Sequence, residues 1–130
     1  MNHSKARPAP EWLENGIIYQ INLRAFTPEG TLNAAKTKLE HVRSCGATIV
    51  YLMPVYKSDG DMDRKYWSER QKTSGTENPR NPYRAADYFR IDSEYGTEND
   101  LREFVAEAHS LGLRVMLDLA YYHCGPGALF

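Results

Sequence analysis

Three apolar runs stand out of an otherwise polar chain: GIIYQINLRAF at 16–26, ATIVYLMPV at 47–55 and LRVMLDLA at 113–120. Each is rich in β-branched, aromatic or aliphatic residues and reads as a strand. The first is expected to run to Phe26 and close in the turn TPEGT. Its alternate positions Ile18, Gln20, Asn22 and Arg24 turn polar toward the end. Two stretches between the runs have helical spacing. In LNAAKTKLEHVRSCG, Leu32, Ala35, Leu39 and Val42 fall on one face. In TENDLREFVAEAHSLG, Leu101, Phe104, Val105, Ala108 and Leu111 do the same, and Thr97 with Asp100 makes a capping-box-like start. Both helices end in a glycine, Gly46 or Gly112, followed at once by an apolar strand. Strand, helix, strand, insertion, helix, strand is the order of repeated βα units around a parallel sheet.

The insertion, about 56–95, is polar and carries Tyr66, Trp67, Tyr83, Tyr88 and Phe89 among charges and amides. So long a stretch without periodicity points to a working loop or a small subdomain. Residues 1–11 read as a flexible leader and 12–130 as the folded unit. A dinucleotide-binding sheet needs a glycine-rich turn after its first strand; the turn here, RAFTPEGTL, has none. A (β/α)8 barrel needs no such loop and places its chemistry at the C-terminal strand ends. The third strand fits that pattern: Met116, Asp118 and Ala120 share one face, Val115, Leu117 and Leu119 the other. Aromatic planes beside hydrogen-bonding groups suit a sugar, with its flat C–H face and rim of hydroxyls.

Charge narrows the partners. Sixteen basic and 17 acidic residues give a net charge of -1, so no nucleic-acid footprint is expected. The apolar runs are too short to span a bilayer, and the polar, proline-rich start MNHSKARPAPEW has no signal-peptide core. A cytoplasmic chain is expected, with Cys45 and Cys124 reduced. Oligomeric state is not legible from the sequence.

The stretches YQINLRAFTPEGTL, GATIVYLMPV and NPYRAADYFRIDSEYGTENDLREFVAEAHSLGLRVMLDLAYYH together resemble the start of the α-amylase family, glycoside hydrolase family 13. The family's first conserved region is Asp, three variable residues, Asn, His; here it reads from Asp118 to Tyr122 and His123. The resemblance covers 12 to about 126. It implies the N-terminal βαβαβ portion of a (β/α)8 barrel, and a retaining glycoside hydrolase or transglycosylase acting on α-glucosidic linkages of glucans and oligosaccharides. It implies that His123 donates to the sugar at the cleavage subsite, that Tyr83 is the platform on which that sugar stacks, and that Asp118 is a structural acid. The family usually has glycine before this tyrosine, where Pro82 stands here. Where the family's asparagine helps to bind calcium, this chain has Tyr122, a poor calcium ligand, and no cofactor is expected. The family's nucleophile, acid/base and third acid lie on later strands, so the 130 residues are expected to hold part of a substrate site and no catalytic carboxylate.

Plainer readings stand beside these. His123 also suits a surface or capping histidine, and Tyr83 plain packing. Asp118, His123 and Cys124 make a metal reading without a second cluster to complete it. His41 and Cys45 are an isolated i, i+4 pair. His109 suits a helix C-terminus, and Asp87 and Asp92 suit turns. The rival to the hydrolase reading is a non-catalytic α/β module, glycan-binding or a degenerate remnant. A different TIM-barrel or α/β enzyme with a ligand other than sugar is the third reading.

Overall fold

The computed structural model describes residues 7–61, 63–75 and 80–129. The first six residues of the expected leader lie outside that set. Residues 7–10 are exposed, and a short helix, α1 (Glu11–Glu14), begins at the leader's end.

Three strands form a parallel sheet in the order β1 (Ile18–Ile21), β2 (Ile49–Leu52), β5 (Arg114–Leu117). The chain is α/β with parallel strands, as the helix–glycine–strand pattern requires. Register puts Gln20, Tyr51 and Met116 in one row and Ile21, Leu52 and Leu117 in the next, so side chains alternate between faces. One face packs under helices α3 (Leu32–Lys36), α4 (Leu39–Ser44) and α6 (Glu98–Ser110). Ile21, Val50 and Leu52 meet Leu32, Ala35, Leu39, Val42, Phe104 and Ala108 there, all buried. On the other face Ile18 and Gln20 are exposed and Tyr51 and Met116 half-buried. Ile49 is the buried exception, with Gly16 against it at the N-terminal end of the sheet.

Helix α6 follows its sequence signals closely. Thr97 and Asp100 form the reciprocal capping box. At the other end Gly112 takes φ +76, and its N–H and that of Leu113 bond back to His109 and Ala108 carbonyls, a Schellman closure. Gly46 takes φ +83 at the end of α4 in the same way. Of the expected stripe, Phe104 and Ala108 are buried, while Leu101, Val105 and Leu111 are half-buried.

Three expected elements differ. The first strand stops at Ile21. Asn22 begins a helical turn, α2 (Leu23–Phe26), closed by the Ala25 N–H on the Asn22 carbonyl. Arg24 therefore leaves the sheet; it pairs with both Glu94 oxygens at 2.6 and 2.7 Å. The first long helix divides into α3 and α4 at Thr37, whose hydroxyl bonds the Ala34 carbonyl at 2.8 Å and competes with the helix backbone. Its four apolar positions stay buried across the break. The third strand ends at Leu117, and Asp118 follows with its N–H on the Leu52 carbonyl.

The stretch 56–95 has regular elements of its own. β3 (Tyr56–Ser58) and β4 (Ala85–Ile91) pair antiparallel, with register shifts on both sides of Lys57. A 3-10 turn (Arg64–Tyr66) and a short helix, α5 (Glu69–Thr73), precede β4. Among the described residues no helix is long and apolar enough to cross a membrane.

Candidate functional site

The C-terminal ends of a parallel sheet leave strand-end groups without onward pairing, and the loops that follow can converge there. In this chain that end is marked by Asp118, just past β5. Its carboxylate Oδ2 accepts a hydrogen bond from the Tyr83 hydroxyl at 2.8 Å, across 35 residues of sequence. Tyr51, on β2 one strand away, lies near the same carboxylate, as its place opposite Met116 allows.

The electrostatics keep both phenols neutral. Burial, reinforced by the hydrogen bond to Asp118 and by its charge, pushes the Tyr83 phenol up to about 12. The Asp118 hydrogen bond also raises Tyr51 above the ordinary tyrosine value. Both therefore stay protonated at neutral pH, and Tyr83 donates to the carboxylate. Tyr83 is half-buried and anchored at its hydroxyl.

The turn that carries Tyr83 is set by a side-chain amide. The Asn81 side chain accepts from the Tyr83 N–H at 3.0 Å. Upstream, the Arg80 carbonyl accepts from Arg24 Nη1 at 2.6 Å, which ties this segment to the β1 end and through Arg24 to Glu94. Asp92, 3% exposed, accepts from the Ser58 N–H and hydroxyl at 2.9 and 2.6 Å and from the Glu94 N–H at 3.0 Å. Burial alone would raise its pKa; those hydrogen bonds and nearby Arg80 prevail and hold it below the ordinary aspartate value. Asp87 accepts from the Phe89 N–H at 2.8 Å. Both acids thus fill the turn and hydrogen-bonding roles expected of them.

His123 is exposed, and among the described residues its imidazole makes no hydrogen bond or ion pair. It lines an apolar groove of about 480 Å³ with Tyr88, Phe89, Tyr121, Tyr122 and Cys124. The structure therefore joins Tyr83 to Asp118 and leaves the His123 side chain bonded to neither. Tyr122 is 99% exposed. His109 is exposed at the end of α6. Among the described residues no three His, Cys, Asp or Glu side chains gather as a metal-binding group. The His41–Cys45 pair, 3.9 Å apart on α4, stands by itself.

Two residues, Tyr51 and Asp59, escaped the sequence reading, and Tyr88 was named there only as one aromatic among several. Tyr51 sits in an apolar strand and looks like core. Its signal was register, since it lies two residues before Met53 on the face that ends in Asp118. Tyr88 and Asp59 act on backbone groups, which leave no mark in a sequence.

A family model described as the alpha amylase catalytic domain matches residues 5–128. The chain is 33% identical over 114 residues to a malto-oligosyltrehalose trehalohydrolase of Deinococcus radiodurans, covering 88% of this chain and 16% of that protein. It is 33% identical over 119 residues to the trehalose-6-phosphate hydrolase of Escherichia coli, covering 88% and 18%. Among solved structures, an alpha-amylase from Lactobacillus plantarum superposes with a TM-score of 0.76 at 29% identity, over 90% of this chain and 25% of that one. The chain thus spans less than a fifth of the length of these curated relatives.

Proposed function

Because this chain belongs to the alpha-amylase catalytic-domain family, we propose that it forms the first three strand units of a (β/α)8 barrel in a retaining glycoside hydrolase or transglycosylase. The substrates are α-glucans or oligosaccharides with α-glucosidic linkages. The segment 56–95 is the insertion that follows the second barrel strand. Tyr83 presents a ring to the flat face of the sugar at the cleavage subsite. His123 donates to a sugar hydroxyl, and Asp118 braces Tyr83.

The observation that carries this reading is the Tyr83–Asp118 hydrogen bond at the C-terminal end of the parallel sheet. A tyrosine pinned by its hydroxyl loses little further rotamer freedom when a ligand stacks on it, so less of the binding energy is spent on ordering the site. A retaining displacement needs two carboxylates about 5–5.5 Å apart, and Asp118 is engaged with tyrosines. The chemistry is assigned to acids beyond these three strand units, and the 130-residue chain alone is expected not to turn over a nitrophenyl α-glucoside.

Titration of the 130-residue chain with maltotriose, followed by tyrosine and tryptophan fluorescence, tests the binding. A saturable change that Tyr83→Ala removes is the expected result. A flat titration of the wild-type chain overturns the reading.

A further inference from the structure

His123 lies in a stretch with no regular secondary structure, and among the described residues its imidazole makes no hydrogen bond or ion pair, only an edge contact with the Tyr122 ring. Its position is set by backbone. From Ala120 to Leu129, five described hydrogen bonds attach the chain to the rest of the protein, and all of them go to the insertion. The Tyr88 hydroxyl lies 2.5 Å from the Ala120 carbonyl and 3.2 Å from that of His123 itself, sharing one proton between them. The N–H groups of Gly125 and Leu129 donate to the Ala85 and Ala86 carbonyls at 2.7 and 2.8 Å, so the turn they bracket is pinned to the start of β4. The Gly127 N–H donates to Asp59 Oδ2 at 3.2 Å.

Asp59 is 7% exposed and is shaped to this contact. Its other oxygen accepts from the Asp61 N–H at 2.8 Å, and Arg84 Nη2 lies 3.6 Å from Oδ2. A Cβ at Gly125 would overlap the Asp59 side chain, so the glycine lets the turn settle directly on the carboxylate. Tyr88 is equally fixed, its ring 5.0 Å from Tyr56 and 5.7 Å from Tyr121 between centroids. One group grips the chain before and at His123, the other grips it just after.

We infer that Tyr88 and Asp59 are positioning residues that aim His123, acting from the insertion on a histidine that follows β5. They touch the backbone that carries the imidazole and not the sugar. The assignment of a sugar to His123 rests on the function proposed above; the aiming of the side chain does not.

The test uses the 130-residue chain. Tyr88→Phe removes the donor and keeps the ring between Tyr56 and Tyr121; Asp59→Asn keeps the shape and removes the charge. The Cε1–H proton resonance of His123, identified among the four histidines by its loss in His123→Gln, reports the imidazole's surroundings. Tyr19→Phe, in β1, is the control. We expect both variants to move the His123 resonance, leave those of His41 and His109 in place, and weaken maltotriose binding up to about tenfold, the scale of one lost hydrogen bond. An unmoved His123 resonance in Tyr88→Phe overturns the inference, including when Asp59→Asn fails to fold. If the resonance moves but the wild-type chain binds no maltotriose, the positioning stands and the sugar reading falls.

Discussion

The layer between the sheet and α3, α4 and α6 contrasts with the rim formed by β3, β4 and residues 118–129. In the layer, Leu32, Leu39, Ile21, Leu52 and Phe104 are buried against one another. Their contacts are non-directional, and their contribution scales with area removed from water. In the rim, Asp59, Asp92 and Ser58 are just as buried, yet each is held by named hydrogen bonds. Phe89, Tyr121 and Tyr122 meanwhile stand open to solvent. Stability is concentrated where polar groups are few, and orientation where they are many. A rim built this way can be spoiled for binding at small cost to folding, whereas the layer cannot.

That contrast is easiest to break at Phe104. Phe104→Ala is expected to cost about 3–5 kcal/mol, as for other large-to-small changes in a packed core, read from the urea midpoint. A smaller loss than any rim variant would reverse the ranking of the two regions.

Asp92 tests the directional side. Asp92→Ala leaves the Ser58 and Glu94 donors without their acceptor and is expected to cost about 1–3 kcal/mol. Its folded pKa lies below that of the unfolded chain. The carboxylate's contribution is therefore complete above the unfolded value of about 3.9 and is lost as pH falls through the folded one. Urea melts of the wild type should weaken on acidification below about pH 4, and Asp92→Asn should flatten part of that slope. An unchanged slope would mean that Asp92 titrates alike in both states.

Gly125→Ala sharpens the comparison within the rim. The added methyl overlaps Asp59 and is expected to cost about 1–2 kcal/mol, at the lower end for overpacking. Pairing it with Asp59→Ala should recover part of the loss, and additive effects would show that the two do not meet. The smallest effect is expected at Lys36, whose ammonium lies 2.7 Å from a half-exposed Glu103. Lys36→Ala should cost less than about 1 kcal/mol, and the difference from wild type should shrink in high salt.

The layer was largely legible in the sequence because its signals are local and repeat. Helical spacing of apolar residues, a capping box and two glycines before strands each leave a mark within a few positions. The strand limits were less legible. Asn22 and Arg24 continue the alternation of β1 in their letters, but a turn and the Glu94 partner, 70 residues away, take the backbone out of the sheet. β3 and β4 were hidden by polar letters, Lys57 and Ser58 in one and Asp87 and Arg90 in the other, and by shifts in their register. Of the candidate site, Tyr83, Asp118 and His123 were named through family resemblance. The bond between the first two and the backbone grip on the third depend on contacts across 35 residues, which no local pattern records.

The Tyr83–Asp118 bond also has a consequence for assembly. Asp118 comes into place only when the third strand docks on the open edge of the second, the last of the three to be made. Until then Tyr83 has no acceptor and its phenol is free to swing. The Tyr83–Asp118 bond therefore reports that the sheet has reached its third strand. A chain halted before that pairing would carry Tyr83 and still leave its hydroxyl without this acceptor.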